Sequence, residues 1–197
     1  MRHSPENLAA TARWMRLTTG LTRHEGAGLL SLFAFTPAAR ILDIGGNSGE
    51  MARLICAAYP EIDATVFDLP LVCDLGRTHL KDMPEAARIR FVAGDALCDT
   101  LPGGMDVAIF KSVLHDWPEE EARRLMDAAI AALKPGGHLL IFERLPFDLK
   151  RPLAYHEIPL LMFLHHLRAP DFYRDHLLAR GFGIAAQGEI TLDMPFF

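Results

Sequence analysis

A regular alternation of short apolar runs with segments of helical periodicity constrains this chain most strongly. The runs are rich in isoleucine, valine and phenylalanine, as strands are; they are "RILDIGG", "DATVFDL", "IRFVAGD", "DVAIFKS" and "HLLIFER". Helical spacing marks the segments between them, "EMARLICAAYP", "LPLVCDLGRTHLKD" and "PEEEARRLMDAAIAALKPGG". The alternation predicts an α/β fold with a doubly wound, mostly parallel sheet that carries helices on both faces.

The remaining segments predict further helices and a terminal hairpin. Residues 1–39, with "ENLAATARWMRLTTGL" and "HEGAGLLSLFAF", are expected to form one or two helices before a sheet domain at residues 40–197. After the last apolar run, "LAYHEIPLLMFLHHL" and "PDFYRDHLLARGFG" predict two more helices, the first bent near Pro159. The tail "IAAQGEITLDMPFF" predicts a C-terminal antiparallel hairpin.

Composition and charge exclude several classes of function. The chain has 197 residues, of which 50% are hydrophobic, and this is enough for one domain with a sizeable core. Its net charge is −5 and its lysines and arginines are scattered, so no nucleic-acid partner is expected. The apolar runs are too short for a membrane span. Three widely spaced cysteines without a CxxC pair favour a cytoplasmic protein.

The loop "LDIGGNSGE" follows the first predicted strand. Gly45 and Gly46 permit a sharp turn and a close approach of the backbone to a ligand, although a plain turn from strand to helix uses glycine in the same way. Asn47 and Glu50 occupy positions where a dinucleotide-binding loop has glycine. Glu50 also places a carboxylate in the first helical turn, which opposes a pyrophosphate. An NAD-dependent oxidoreductase is therefore the last of the alternatives.

Carboxylates follow the second and third predicted strands. Asp68 lies about 20 residues beyond the glycine loop, where a carboxylate can accept both hydroxyls of a ribose or cap the next helix. Asp95 offers an acceptor for the amine of adenine, or it is an ordinary turn aspartate. Carboxyl ends of parallel strands meet at one edge of the sheet, so these residues and the loop together predict an adenosine-shaped site.

Six motifs, "LDIGGNSG", "FDLP", "GDAL", "FKSVLHDW", "LKPGG" and "FERLP", occur in an order and spacing that resemble a known family. Between Ile41 and about Gly183 the chain is similar to the S-adenosylmethionine-dependent small-molecule O-methyltransferases, such as those acting on caffeate, hydroxyindoles and bacterial polyketides. The resemblance implies a Rossmann-like class I methyltransferase fold, a role in secondary metabolism, and S-adenosylhomocysteine as the second product. It places the cofactor contacts at Asp43, Gly45, Gly46, Asp68, Leu69, Asp95, Ala96 and Lys111.

The resemblance also implies catalytic roles for His115 and Glu143. The histidine falls on the general base of the family, and the glutamate on the acidic residue that orients it. Without the motif, His115 is a loop histidine packed on Trp117 and Glu143 belongs to an ordinary salt bridge. Leu167 stands where the family has a second acid. The family usually has an N-terminal dimerisation domain, whereas here only the predicted helices precede residue 40. We expect a homodimer through these helices.

Three residues, Trp117, Tyr155 and His166, are the predicted substrate-binding set. Trp117 covers the adenine or packs in the core, and Met162, at helical spacing, is expected in the core. Lys111 neutralises the methionine carboxylate or Asp95, or is merely solvated.

No metal is expected, because the adjacent histidines 165 and 166 face different ways and no carboxylate lies at ligand spacing. The predicted reaction is methyl transfer to a hydroxyl of an aromatic or polyketide-like acceptor. Methylation of carbon or nitrogen on the same scaffold is one alternative, with His115 orienting the acceptor. A cofactor-binding accessory subunit without catalysis is the other.

Overall fold

The computed structural model describes residues 5–148, 150, 152–153, 158 and 161–190. One sheet of five strands forms its centre, with all neighbouring strands parallel and the order β3-β2-β1-β4-β5. The strands are β1 (Arg40–Ile44), β2 (Asp63–Asp68), β3 (Ile89–Ala93), β4 (Met105–Lys111) and β5 (Leu133–Phe142). The five apolar runs of the sequence lie in these strands, so the alternation predicted them correctly.

Five α-helices accompany the sheet: α1 (Pro5–Leu32), α2 (Glu50–Ala58), α3 (Pro70–Leu80), α4 (Glu119–Ala132) and α5 (Pro170–Leu178). Short 3-10 turns occupy Ala86–Arg88 and Leu114–Asp116. Proline is the first residue of α3 and of α5, a position where its missing N–H breaks no helical hydrogen bond. Of the one or two helices predicted before the sheet, the structure has one, which is 28 residues long.

Helices cover both faces of the sheet because side chains alternate along each strand. In β1, Ile41 belongs to a core formed with α1, α2 and α3, whereas Leu42 belongs to a second core formed with α4. Tyr173 of α5 is buried in that second core. The doubly wound arrangement is therefore confirmed, and the strand order reverses between β1 and β4, where ligands of such sheets bind.

Two details differ from the sequence prediction. The helix α4 ends at Ala132, and the Pro135-Gly136-Gly137 segment that was expected to end it lies inside β5. Leu133 already has an extended conformation and pairs with Met105, while Val107 pairs with His138, so the extra residues form an irregularity in the ladder. The proline and glycines therefore interrupt strand pairing instead of ending the helix.

The C-terminal hairpin is not confirmed. Residues 182–190 form neither helix nor strand and are largely exposed, so they present no apolar face to the sheet. Residues 191–197 lie outside the described residues. The predicted helix around Pro159 lies partly outside them as well, and its described end, residues 161–166, is a 3-10 segment and a turn.

Candidate cofactor and catalytic site

The glycine loop joins β1 to α2 at the carboxyl end of the sheet. Gly45 has a φ of 67°, and its N–H donates to the Phe67 carbonyl at 2.8 Å. A Cβ at Gly45 would lie 2.9 Å from Val113, and one at Gly46 would lie 2.5 Å from the Asp43 carboxylate. Packing within the chain therefore requires both glycines, and the positive φ is a second requirement for glycine at position 45.

Below this loop, Asp43 is a buried carboxylate with unsatisfied oxygens. It is 1% exposed, and neither oxygen has a hydrogen-bond partner among the described residues. Burial is the main cause that raises the pKa of Asp43 to about 7, and the negative charge of Asp68 adds to it. The positive charge of Lys111 and the nearby Ala52 amide lower the pKa in part, although the amide does not form a hydrogen bond. Asn47 Oδ1 is also buried without a partner. Unpaired buried acceptors are costly, so each of these two side chains fits a donor supplied by a ligand.

The Asp68 side chain ties the glycine loop to the start of α3. Its Oδ2 accepts the Asn47 N–H at 2.8 Å, and its Oδ1 accepts the Leu69 N–H at 2.7 Å. Burial raises the pKa of Asp68, and these two amides offset part of the rise. Each carboxylate oxygen still has a second lone pair, so fixing the loop and accepting ribose hydroxyls are compatible.

Asp95 lies in a turn after β3. Its Oδ1 accepts the Leu97 N–H at 3.0 Å, and its own N–H donates to Asp99 Oδ2 at 2.8 Å. The next residue, Ala96, packs against the second core. This geometry is that of a turn aspartate, one of the two interpretations that the sequence left open.

Lys111, at the end of β4, is held by α1. Its Nζ lies 2.5 Å from Glu25 Oε2 and donates to Thr22 Oγ1 at 3.2 Å, while Arg144 donates to Glu25 Oε1 at 2.5 Å. Lysine and glutamate are both buried, so the interpretation of Lys111 as merely solvated is wrong. The sequence did not identify Glu25, whose only signal is a carboxylate inside the apolar stretch "HEGAGLL".

His115 and Glu143 form a buried pair across the ends of β4 and β5. His115 Nδ1 lies 2.5 Å from Glu143 Oε2, and both side chains are at least 95% buried. The other oxygen, Oε1, accepts the N–H groups of Val113 and Leu114 at 2.8 and 2.7 Å. His115 Nε2 lies 3.6 Å from Asp116 Oδ1. Glu143 therefore holds both the imidazole ring and the loop that carries it.

The predicted substrate-binding residues have mixed outcomes. Trp117 packs against the second core, His166 is half-buried, and Tyr155 lies outside the described residues. Met162 is 72% exposed, so its expected place in the core is wrong; the helical spacing does not apply because the chain forms a 3-10 segment there. Phe163, which the sequence did not single out, packs edge-to-face on the His115 ring at 4.7 Å.

At the start of α2, Glu50 is buried and ionised. Burial alone would raise its pKa, but Arg53, Arg23 and His79 outweigh burial and hold the pKa at about 2. The carboxylate that opposes a pyrophosphate is therefore charged, although cationic groups surround it.

Other parts of the described structure are not linked to this site. A cleft of about 330 Å³ lies at the opposite, amino-terminal end of the sheet, between Phe33, Asp106 and His138. Within the described ranges, no group of three or more His, Cys, Asp or Glu side chains is arranged to hold a metal ion. No helix in the same ranges is both long and apolar enough to cross a membrane.

Comparison with known proteins identifies similar domains. A family model described as the O-methyltransferase domain matches residues 3–183. Acetylserotonin O-methyltransferase of Bos taurus is 35% identical over 164 residues, which are 81% of this chain and 47% of that protein. The 3-hydroxy-5-methyl-1-naphthoate 3-O-methyltransferase of Streptomyces sahachiroi is 37% identical over 109 residues, 55% of this chain and 32% of that enzyme.

A solved structure gives the same fold. Human N-acetylserotonin methyltransferase, in complex with SAM, has a TM-score of 0.74 and 27% identity, with 89% of this chain and 51% of that chain covered. The class I methyltransferase fold is therefore confirmed. The chain spans less than half the length of the two curated relatives, and about half of the solved structure.

Proposed function

Because the chain belongs to the O-methyltransferase domain family, we propose that it binds S-adenosylmethionine and methylates a hydroxyl of an aromatic or polyketide-like small molecule. The observation that carries this proposal is the buried His115–Glu143 pair at the carboxyl edge of the sheet, across the ends of β4 and β5. Relatives named for acetylserotonin and for 3-hydroxy-5-methyl-1-naphthoate support the class of acceptor.

The residues at the carboxyl edge fit this cofactor. Asp43 and Asn47, with their unsatisfied oxygens, would hold the methionine ammonium group, and Asp68 would accept the ribose hydroxyls. Leu69, Asp95 and Ala96 would line the adenosine, as the family pattern implies. When bound, S-adenosylmethionine supplies a methyl group on a positively charged sulfonium.

The chain itself supplies the proton acceptor. Glu143 accepts two backbone N–H groups at Oε1 and faces His115 Nδ1 with Oε2, so the imidazole donates from Nδ1 and has its lone pair on Nε2. Nε2 can then take the proton of the acceptor hydroxyl as its oxygen is methylated. Asp116, 3.6 Å from Nε2, and Glu143 both stabilise the imidazolium that results. Phe163 covers the ring and limits its access to water.

The proposed function is tested by incubating the protein with S-adenosylmethionine and a panel of phenols, hydroxynaphthoates and hydroxyindoles. Formation of S-adenosylhomocysteine in step with consumption of one acceptor is the expected result. If S-adenosylmethionine does not bind while NADH does, the proposal is wrong.

Replacement of Asp43 by asparagine is expected to weaken S-adenosylmethionine binding roughly ten- to a hundredfold, the equivalent of a charge-assisted hydrogen bond of about 1.5–3 kcal/mol. Isothermal titration calorimetry measures the affinity. Asp106→Asn, at the amino-terminal end of the sheet, is the matched control and should leave the affinity unchanged.

The same substitution should stabilise the free protein. A carboxyl whose folded pKa, about 7, exceeds its ordinary value of 3.8 destabilises the fold as the pH rises through that interval. At pH 8 unliganded Asp43→Asn should therefore unfold at a higher temperature than the wild type. An unchanged affinity would exclude Asp43 from the cofactor site, and a lower unfolding temperature at pH 8 would contradict the raised pKa of Asp43.

The protein is expected to form a homodimer through α1. Trp14 and Leu17, three residues apart and therefore on one face, are exposed on this helix, whereas Met15 packs on the domain. Apolar side chains exposed on one helix face favour association with a second copy. Light scattering should give the dimer mass for the wild type and the monomer mass for Leu17→Glu. A monomer mass for the wild type at high concentration removes this proposal.

We further propose a cytoplasmic location and no nucleic-acid partner. Three free cysteines, of which Cys56 and Cys73 are buried, are typical of a reducing compartment. The net charge of −5 does not favour a polyanion.

A further inference from the structure

We infer that Arg168 is a positioning residue that holds the loop of His115 in its catalytic place. The inference rests on the proposed function, in which His115 is the base. It concerns how the base is held, and no direct contact of Arg168 with the acceptor or the cofactor is involved.

Arg168 binds the backbone on both sides of His115. Its side chain is buried, and Nη1 donates to the Leu114 carbonyl at 2.9 Å while Nη2 donates to the Trp117 carbonyl. Glu143 accepts the Leu114 N–H from the other direction at 2.7 Å. The peptide groups next to the histidine are thus held by a carboxylate on their N–H groups and by a guanidinium on their C=O groups.

The loop needs such external contacts because its own structure is weak. Ser112, at its start, has a φ of 57°, a left-handed conformation that costs a non-glycine residue free energy. The 3-10 turn that follows has two internal hydrogen bonds, from Asp116 to Val113 at 3.1 Å and from Trp117 to Leu114 at 3.3 Å. Such turns have poor hydrogen-bond geometry, so side chains outside the turn decide where His115 lies.

Arg168 is itself fixed by α5. Its guanidinium stacks on Phe172 with 4.8 Å between Cζ and the ring centroid. Arg123 of α4 stacks on the same ring at 4.4 Å, but it is half-exposed and its hydrogen bond goes to His176 of α5. Two bonds in a fixed planar fork distinguish arginine from lysine at this position. Arg123 therefore offers a matched control for Arg168.

The test compares Arg168→Met, Arg168→Lys and Arg123→Met with the wild type. Proton NMR should show the His115 Nδ1–H as a downfield signal because this proton lies in a short bond to Glu143; His115→Gln identifies the signal by its loss. In Arg168→Met the signal should broaden or disappear. Its kcat should fall on the order of tenfold to a hundredfold, since small displacements of a catalytic group have effects of that size.

Affinity for S-adenosylmethionine should stay within about threefold in Arg168→Met, because the cofactor residues lie on other loops. Arg168→Lys should have a kcat between those of Arg168→Met and the wild type. Arg123→Met should match the wild type in NMR signal and in kcat. Circular dichroism shows whether each variant is folded.

The inference is overturned if folded Arg168→Met keeps the signal and the kcat, or if Arg123→Met changes them equally. If Arg168→Met does not fold, the test rests on Arg168→Lys. A wild-type NMR signal together with a wild-type kcat in Arg168→Lys then overturns the inference. Failure of the proposed function looks different: the wild type then transfers no methyl group, while the NMR signal still reports whether Arg168 holds the loop.

Discussion

Replacing His115 by glutamine is expected to lower kcat on a hydroxyl acceptor by about 10² or more, with the affinity for S-adenosylmethionine changed by no more than a few-fold. Glutamine keeps approximate size and some hydrogen bonding, but it cannot take a proton with comparable basicity. The loss falls on kcat because the base acts in the transition state, while the proposed cofactor contacts lie on other loops.

The pH dependence of the wild type follows from the same argument. Only the neutral imidazole can accept the proton, so turnover should rise with pH as the imidazolium deprotonates and then level off. His138→Gln, at the opposite end of the sheet, is the matched control and should leave kcat unchanged. Glu143→Gln should also lower kcat strongly: its amide oxygen would accept the Val113 and Leu114 N–H groups, so its NH2 would donate to Nδ1 and move the imidazole proton to Nε2. Near-normal turnover in His115→Gln would favour carbon or nitrogen methylation, with the histidine only a wall of the pocket.

The second large effect concerns stability. Glu25→Ala is expected to lower the free energy of unfolding by about 3 kcal/mol, because it leaves Lys111 buried and Arg144 partly buried without their anion. In a domain of this size, this loss of free energy corresponds to a decrease of roughly 6–12 °C in melting temperature. Glu119→Ala, which removes an exposed ion pair to Arg123, should cost less than about 1 kcal/mol in the same calorimetric scan.

The effect of Glu25 should also depend on pH in a defined direction. Burial alone would raise the pKa of Glu25, but Lys111 and Arg144 outweigh burial and hold the pKa below its ordinary value of 4.5. The stabilisation is therefore fully present above pH 4.5 and is lost as the pH falls below it. The gap in unfolding temperature between wild type and Glu25→Ala should narrow in acid. A gap that is constant, or that widens in acid, contradicts the ion-pair explanation.

Local patterns in the sequence were sufficient for most of the fold. Strands such as Ile89–Ala93 are short apolar runs between turn residues, and their alternation with helices determines a parallel doubly wound sheet. The family resemblance of "FKSVLHDW" and "FERLP" implied that Glu143 orients His115, and the structure brings the two side chains to 2.5 Å. The C-terminal hairpin is not confirmed: residues 182–190 form no strand, and residues 191–197 lie outside the described residues.

Contacts between distant parts of the chain could not be predicted. Glu25 and Arg144 are 119 residues apart, and no local pattern shows that a helix before the sheet carries the anion for two strand ends. The position of Phe163 on the His115 ring depends on the 3-10 segment at residues 161–163, where the spacing of the sequence predicted an α-helix. The role of Arg168 could not be predicted, because its bonds go to backbone carbonyls, which any sequence has.

The most direct test of the central claim is the position of the transferred methyl group. The protein is incubated with S-adenosylmethionine labelled with ¹³C in its methyl group and with the acceptor that the panel identifies, and NMR locates the label in the product. The account predicts the label on oxygen, with product formation lowered about 10² or more in His115→Gln. Label on carbon or nitrogen, or bound S-adenosylmethionine without any methylated product across the panel, would contradict it.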